Sequence, residues 1–270
     1  MKNILNEYVG KRRLMTLIMG ARCKDGVVLV ADRKLTSRDS SQVNYCDKIN
    51  GEIVGVLTAF SGDQGTFELF TNRVRNYVRT SEEKRLDQML CKRFIGLRIL
   101  QFNPDLDQAL WEIHKIKKDL FVPSHDLKFD LLTGVSSMFF NDKKSVLYYF
   151  DVKGGYISEN RYKAVGDGEP YASYYLKRYH NKDMTMKEFA QIGDYVIRYI
   201  DNEKYRLHHS VGLDPDHPYP QIKYIPDIPD YCRQYNNGEP KCDCSPTQED
   251  YNEFKSYSEK RLQSLYNQPF

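Results

Sequence analysis

No run of apolar residues in this chain approaches the roughly 18 to 20 that a bilayer-spanning helix requires, and residues 2 to 14 lack the continuous apolar stretch of a secretory signal. No membrane partner is expected, and the cytoplasm is the expected location. A dominant charge is also missing. Against 37 Asp and Glu stand 40 Lys and Arg, a formal net charge of +3, so there is no electrostatic footprint for nucleic acid. The nearest basic cluster, Lys11 to Arg13, adjoins the first strand and reads as a solvated leader. The short catalytic signatures are absent too: no GxSxG elbow, no HExxH, no phosphate-cradling glycine loop and no pair of CxxC units. Cysteine does not imply disulfide staples, because 270 residues with 40% hydrophobic and 13% aromatic content can bury a core without them.

Two composition regimes are present. From Thr16 to about Ile225, strand-like and helix-like stretches alternate, whereas 226–270 is polar, poor in aliphatic residues and rich in Tyr, Asn and Pro. The expected domains are a leader or misread start over 1–15, one folded domain over 16–225, and a C-terminal appendage over 226–270. Thr16 to Arg22 reads as a strand, Lys24-Asp25-Gly26 as a tight hairpin turn, and Val27 to Ala31 as an apolar strand buried on both faces, which two sheets back to back would explain. Glu52 to Phe60 reads as one strand stopped by Ser61-Gly62-Asp63-Gln64-Gly65. Phe67, Phe70, Val74, Tyr77 and Val78 then recur at helical spacing, and a helical zone continues to Ile116. Strands return over Leu127 to Phe140 and Val146 to Val152, and after Gly154-Gly155 the chain continues as strand to Val165. Gly166-Asp167-Gly168 breaks it before Pro170 opens a helix. A second helix carries Phe189, Ile192, Val196 and Ile200, a last strand lies near Tyr219 to Ile225, and Glu249 to Tyr266 can form a terminal helix. Hairpin rather than crossover connections favour antiparallel sheets between helical layers.

The chemically informative feature is a spacing. Thr16 begins the first strand, Asp32 ends the second, and Lys48 follows at an equal interval, so three polar residues of one site are expected together. Singly, each has an ordinary reading: a strand threonine, a strand-end aspartate, a solvated lysine, with Gly62 as a turn glycine. The constellation carries the weight.

Here the sequence resembles the β subunits of the 20S proteasome, which are N-terminal-nucleophile hydrolases, as a divergent, archaeal-like member. The resemblance rests on MTLIMGARCKDGVVLVADRKLTS with TAFSGDQGTFELF, and on the block VLYYFDVKGGYISENRYKAVGDGEPYA. It implies an α+β fold, a four-layer α/β/β/α sandwich of two antiparallel sheets. It also implies a threonine-type endopeptidase acting on protein or peptide substrates, in stacked rings with other proteasome-type subunits, without metal or cofactor. Carried over by position, Thr16 falls on the nucleophile, Asp32 and Lys48 on its acid and base partners, and Gly62 on the glycine whose N–H stabilises the oxyanion. Ser210 falls on a supporting serine and Thr36 on the residue that pairs with the substrate backbone. Leu35, Cys46, Asn50, Phe60 and Gln64 fall on the pocket for the residue before the cut, where a bulky Phe60 favours small side chains.

Three departures from that pattern stand out. Met15 occupies the place of the family's preceding glycine, which initiation at Met15 followed by methionine removal would explain. Asp167 replaces a serine in the glycine turn, and Leu207 stands where an aspartate belongs. They favour, as the alternative, a noncatalytic ring scaffold or peptide-binding subunit. Adjacent histidines on a loop, as His208 and His209 are read to be, point apart more often than they chelate, and Cys232, Cys242 and Cys244 lack a fourth partner nearby, so no metal site is assigned.

Overall fold

The computed structural model describes residues 16–36, 43–53, 56–62, 67–68, 70–73, 76, 115, 129–135, 144–150, 156–159, 161–202, 211–227 and 245–266. Eleven strands are present among them: β1 (Leu17–Cys23), β2 (Gly26–Ala31), β3 (Lys34–Thr36), β4 (Val43–Tyr45), β5 (Ile49–Ile53), β6 (Val56–Gly62), β7 (Phe129–Val135), β8 (Val146–Phe150), β9 (Tyr156–Glu159), β10 (Tyr162–Gly166) and β11 (Gln221–Pro226). Three helices lie among the same residues: α1 (Glu169–Tyr179), α2 (Met186–Asp201) and α3 (Gln248–Tyr266).

The strands form a four-stranded sheet ordered β10-β1-β2-β11, a five-stranded sheet ordered β5-β6-β7-β8-β9, and the small pair β3-β4. All pairings are antiparallel. Residues of the long helical zone that are described, 67–68, 70–73, 76 and 115, are helical; the remainder of that zone lies outside the described residues.

The β2 sequence GVVLVA shows why two sheets stack. Side chains alternate across a strand. Val28 and Val30 enter one core with the helices, while Val27, Leu29 and Ala31 enter a second core with Leu57, Ala59, Leu132 and Leu147 of the five-stranded sheet. Both faces are covered, so every residue of β2 is buried. A strand without a polar face cannot sit on a solvated sheet; each such aliphatic side chain contributes about 1.5 to 3 kcal/mol when fully buried.

Two strand expectations need correction. The single strand over Glu52 to Phe60 is a hairpin: Ile53 pairs with Val56, so the chain reverses between them, and β6 returns antiparallel to β5. The apolar run through this stretch of sequence hid the reversal. The stretch after Gly155 is likewise two strands in different sheets, β9 pairing with β8 and β10 with β1. That change of sheet carries the chain from one layer to the other and delivers Gly166 opposite Leu17.

On the outer face of the four-stranded sheet, α2 begins with a capping box in which the Thr185 hydroxyl accepts from Glu188 N and the Glu188 carboxylate accepts from Thr185 N. Its apolar stripe, including Phe189, Ile192, Val196 and Ile200, is buried against β1 and β2. The C-terminal helix α3 covers α2. Phe254 is fully buried between them, and the buried Ser258 hydroxyl donates to Asp194 Oδ2 at 2.5 Å, an oxygen that also accepts from Arg198 Nε at 2.8 Å. The polar C-terminal regime thus contributes a helix to the core. Replacing Phe254 by Ala should cost about 3 kcal/mol or more in urea unfolding; amide exchange in α3 should accelerate before that in β1 and β2.

Candidate active site

The start of β1 is held in the interior of its sheet. Leu17 pairs with Gly166 on one side and Ile18 with Ala31 on the other. Asp32 N donates to Leu17 O at 3.0 Å, which brings the Asp32 carboxylate up to the residue before β1. Its Oδ1 accepts from Thr16 Oγ1 at 2.7 Å, from Leu17 N at 2.8 Å and from Lys48 Nζ at 2.7 Å. Oδ2 accepts from Gly212 N at 3.3 Å. Lys48 Nζ also donates to Thr16 Oγ1 and to the Lys34 carbonyl. The equal sequence intervals therefore converge on one hydroxyl.

This ion pair lies in the interior: Lys48 and Asp32 are each 0% exposed and Thr16 is 2% exposed. Burying two charges is costly unless each is compensated by partners of good geometry. Four donors surround the carboxylate and three acceptors meet the ammonium. Burial pushes the Lys48 ammonium below its ordinary value, while the Asp32 charge and hydrogen bond oppose that shift. The lysine is thus poised to share or lose a proton more readily than a surface lysine.

Gly166 closes the other side. Its φ is +99°, and a Cβ there would lie 2.1 Å from Thr16 O and 2.8 Å from Ser61 Oγ. Only glycine fits. The same contact shows that Ser61, at the end of β6, borders Thr16. Gly62 follows it with φ +130°, so its N–H belongs to the peptide that leaves this spot. Phe60 is 1% exposed, and its ring stacks on Phe67 with centroids 3.9 Å apart, so it packs against the helical segment instead of facing an open space.

Leu35 and Thr36 lie on β3, paired with Asn44 and Val43 of β4, and Leu35 is half-buried. Cys46 is half-buried, its N–H bonded to Arg33 O at 3.0 Å, with its thiol pushed up to about 11 by burial. Asn50 lies on β5 beyond Lys48. Asp167 occupies the turn into α1 and is half-buried. Met15, Gln64, Leu207, His208, His209, Ser210, Cys232, Cys242 and Cys244 lie outside the described residues. Among the described residues, no group of three His, Cys, Asp or Glu side chains could hold a metal ion.

Sequence reasoning missed three contributors. Gln221 on β11 reaches across to the other sheet. Its Oε1 accepts from Lys48 N and Ile49 N, both at 2.7 Å, and its Nε2 donates to Ile49 O at 2.8 Å. The signal, a buried glutamine at the start of a short strand that also carries Lys223 on the same face, is faint. Gly212 supplies the fourth donor to Asp32 and has no sequence signature beyond being a loop glycine. Behind it, Asp201 at the end of α2 accepts from Leu213 N at 3.1 Å, and its carboxyl is pushed up by burial.

Comparison with known proteins fits this geometry. The family model described as proteasome subunit matches residues 15–101 and 128–206. This chain belongs to the proteasome subunit family. At 25% identity over 190 residues it is similar to a proteasome subunit alpha of Methanococcus maripaludis, covering 67% of this chain and 63% of that one. At 27% identity over 194 residues it is similar to a proteasome subunit beta of Methanosarcina thermophila, covering 69% of this chain and 78% of that one. The match thus spans just under two thirds of the length of the alpha-subunit relatives. Among solved structures, the fold resembles Anbu, an ancestral beta-subunit, from Yersinia bercovieri, with TM-score 0.61, 13% identity, and coverage of 94% of this chain and 98% of that one. It also resembles an Anbu Gly-1 mutant from Hyphomicrobium sp. strain MC1, with TM-score 0.60, 14% identity and the same coverage.

Gly166→Ala should therefore lower stability by about 2 kcal/mol or more from backbone conformation alone, with the overlap on Thr16 O in addition. Thermal melting checks the loss. Gly168→Ala, where the nearest neighbours are side-chain atoms of Leu17 and Val211 at 3.0 to 3.1 Å, should be milder.

Proposed function

We propose that the chain is a threonine-type endopeptidase subunit of a proteasome-like complex, cleaving peptide bonds through an acyl-enzyme on Thr16. The observation that carries this reading is the convergence of Lys48 Nζ and Asp32 Oδ1 on the Thr16 hydroxyl inside a closed interior. A hydroxyl is a weak nucleophile, and a terminal threonine can use its own α-amine as base, whose ordinary pKa of about 7.7 to 8.0 suits neutral pH.

Once Thr16 is the first residue, its amine takes the hydroxyl proton as Oγ1 adds to the substrate carbonyl. The Lys48 charge favours the alkoxide character that develops on Oγ1 and disfavours protonation of the amine. Asp32 holds the lysine in place. The N–H of Gly62 stabilises the tetrahedral oxyanion, an effect worth about 3 kcal/mol per donor in acyl-transfer sites. The amine then returns its proton to the leaving nitrogen, the C–N bond breaks, and water hydrolyses the ester to regenerate the hydroxyl.

Thr16 would be freed by initiation at Met15 and removal of that methionine. Residues 16–225 would form the working domain. The helical residues around Phe67 and Phe70, packed on the outer face of β6, support a fourth layer and so the full α/β/β/α sandwich. Thr36 on β3 would pair with substrate backbone. Leu35 and Gln64 would shape a pocket for small side chains, Phe60 being taken up by its packing on Phe67, and Ser210 would support the amine. The working assembly would be stacked rings with other subunits of the family, in the cytoplasm, acting on proteins or peptides.

A noncatalytic ring or peptide-binding subunit is the second reading. It is favoured by the peptide bond that joins Met15 to Thr16 in the full sequence and by relatives named alpha as well as beta. The deciding test treats purified protein with a peptide electrophile that requires both a hydroxyl and a free α-amine. Adduct mass on Thr16, abolished in Thr16→Ala and slowed at least about a hundredfold in Lys48→Ala, is expected. Intact mass retaining residues 1–14, with no adduct and no peptide turnover, would establish the second reading.

The pH profile has a defined sign. The rate should rise with pH through an amine pKa at or below its ordinary value, since the neighbouring ammonium lowers it. It should fall again on an alkaline limb below the ordinary lysine value of 10.5, because burial depresses the Lys48 pKa.

A further inference from the structure

The lysine at the centre of the site has no rigid attachment of its own. Lys48 precedes β5, and four rotatable side-chain bonds separate its Cα from Nζ. The groups it must reach lie elsewhere: Asp32 directly follows β2, and Thr16 directly precedes β1, both in the four-stranded sheet, whereas β5 is an edge strand of the five-stranded sheet. Any shear or spreading between the sheets moves the ammonium relative to both oxygens.

One side chain bridges this gap at the required place. Gln221 pairs with Ala31, the residue before Asp32, so its backbone is registered to the carboxylate's own strand. Its buried amide crosses to the other sheet and makes three hydrogen bonds, of 2.7, 2.7 and 2.8 Å, to the backbone of residues 48 and 49. On the far side, Phe60 N donates to Lys48 O at 3.2 Å. Both backbone groups of Lys48 are thereby fixed, the N–H by the four-stranded sheet and the carbonyl by β6 of its own sheet.

We infer that Gln221 is a positioning residue that sets the distance of Lys48 from Asp32 and Thr16 by tying the lysine backbone to the strand that carries the carboxylate. This deepens the peptidase reading and rests on it for its effect on rate. Its effect on the lysine itself does not require catalysis. Apolar replacement leaves the N–H groups of Lys48 and Ile49 without their acceptor in the interior, so the backbone must move toward another acceptor or admit water. Either response displaces Nζ or hydrates it.

The test uses the full chain with lysine labelled at 13Cε, comparing wild type with Gln221→Met, Gln221→Asn and Gln221→Glu. The methionine keeps the length and removes the amide. The asparagine keeps the amide and loses the reach. The glutamate keeps the oxygen acceptor. The titratable groups facing Lys48 are Asp32 and Cys46; the methionine and asparagine variants leave that set unchanged, whereas the glutamate adds a carboxyl group to it.

In Gln221→Met and Gln221→Asn, the Lys48 titration should shift from that of the wild type, upward where water enters and downward where Nζ moves away from Asp32. Modification of Thr16 by the peptide electrophile should slow by about tenfold to a hundredfold at saturation, with the half-saturating concentration unchanged.

Wild-type titration and wild-type labelling in folded Gln221→Met would overturn the inference while leaving the peptidase reading intact. If Gln221→Met does not fold, Gln221→Asn decides by the same two measurements. If the wild type forms no adduct, the peptidase reading fails, and the Lys48 titration alone decides: a shift in either direction supports the placement role, and an unchanged titration refutes it.

Discussion

A lysine sealed away from water, paired with a carboxylate that shares its hydroxyl partner, is the constraint around which the described architecture is arranged. Neither charge could be tolerated at 0% exposure without the other, and neither alone would explain the ring of donors and acceptors around them. The carboxylate is supplied by the residue after β2 and the hydroxyl by the residue before β1, so hairpin pairing in one sheet brings them together. The ammonium comes from the opposite sheet. What makes the site is therefore the stacking of two sheets whose inner faces carry Ile18, Val27, Leu29 and Ala31 against Leu57, Ala59, Leu132 and Leu147.

Family membership and the local geometry bear on different questions. The family match covers most of the residues that build the two sheets and the paired helices, and the solved relatives, at 13 and 14% identity, speak for the fold alone. The relatives carry the names of both subunit types. What separates a working subunit from a scaffold is chemical: whether the nitrogen of Thr16 is an amine or an amide. An amide nitrogen cannot accept the hydroxyl proton, however well Asp32 and Lys48 are placed.

Much of this was legible in the sequence, for definable reasons. Val27 to Ala31 announced a strand covered on both sides because it contains no polar residue to face water. Pro170 marked the first turn of α1, and the helical spacing of Phe189, Ile192, Val196 and Ile200 marked α2. Thr16, Asp32 and Lys48 were found by spacing together with the resemblance, and the geometry unites them. Two features were hidden. The β5–β6 hairpin was obscured because an apolar run passes through this stretch of sequence, so no polar break marked the reversal. Gln221, Gly212 and Asp201 were obscured because each contact joins a side chain to a backbone N–H distant in sequence, and backbone donors leave no trace in side-chain patterning.

The placement of β1 between β10 and β2 has a consequence for how the protein is made. Its two neighbours come from adjacent sequence on one side and from the far end of the second hairpin series on the other, so the strand that Thr16 precedes becomes fully paired only after most of the domain has been synthesised and has folded back. Until β10 forms, one edge of β1 has no partner strand. The site around Thr16 is therefore completed only when β10 and β11 have joined the sheet, because Gly166 and Gln221 both close on it.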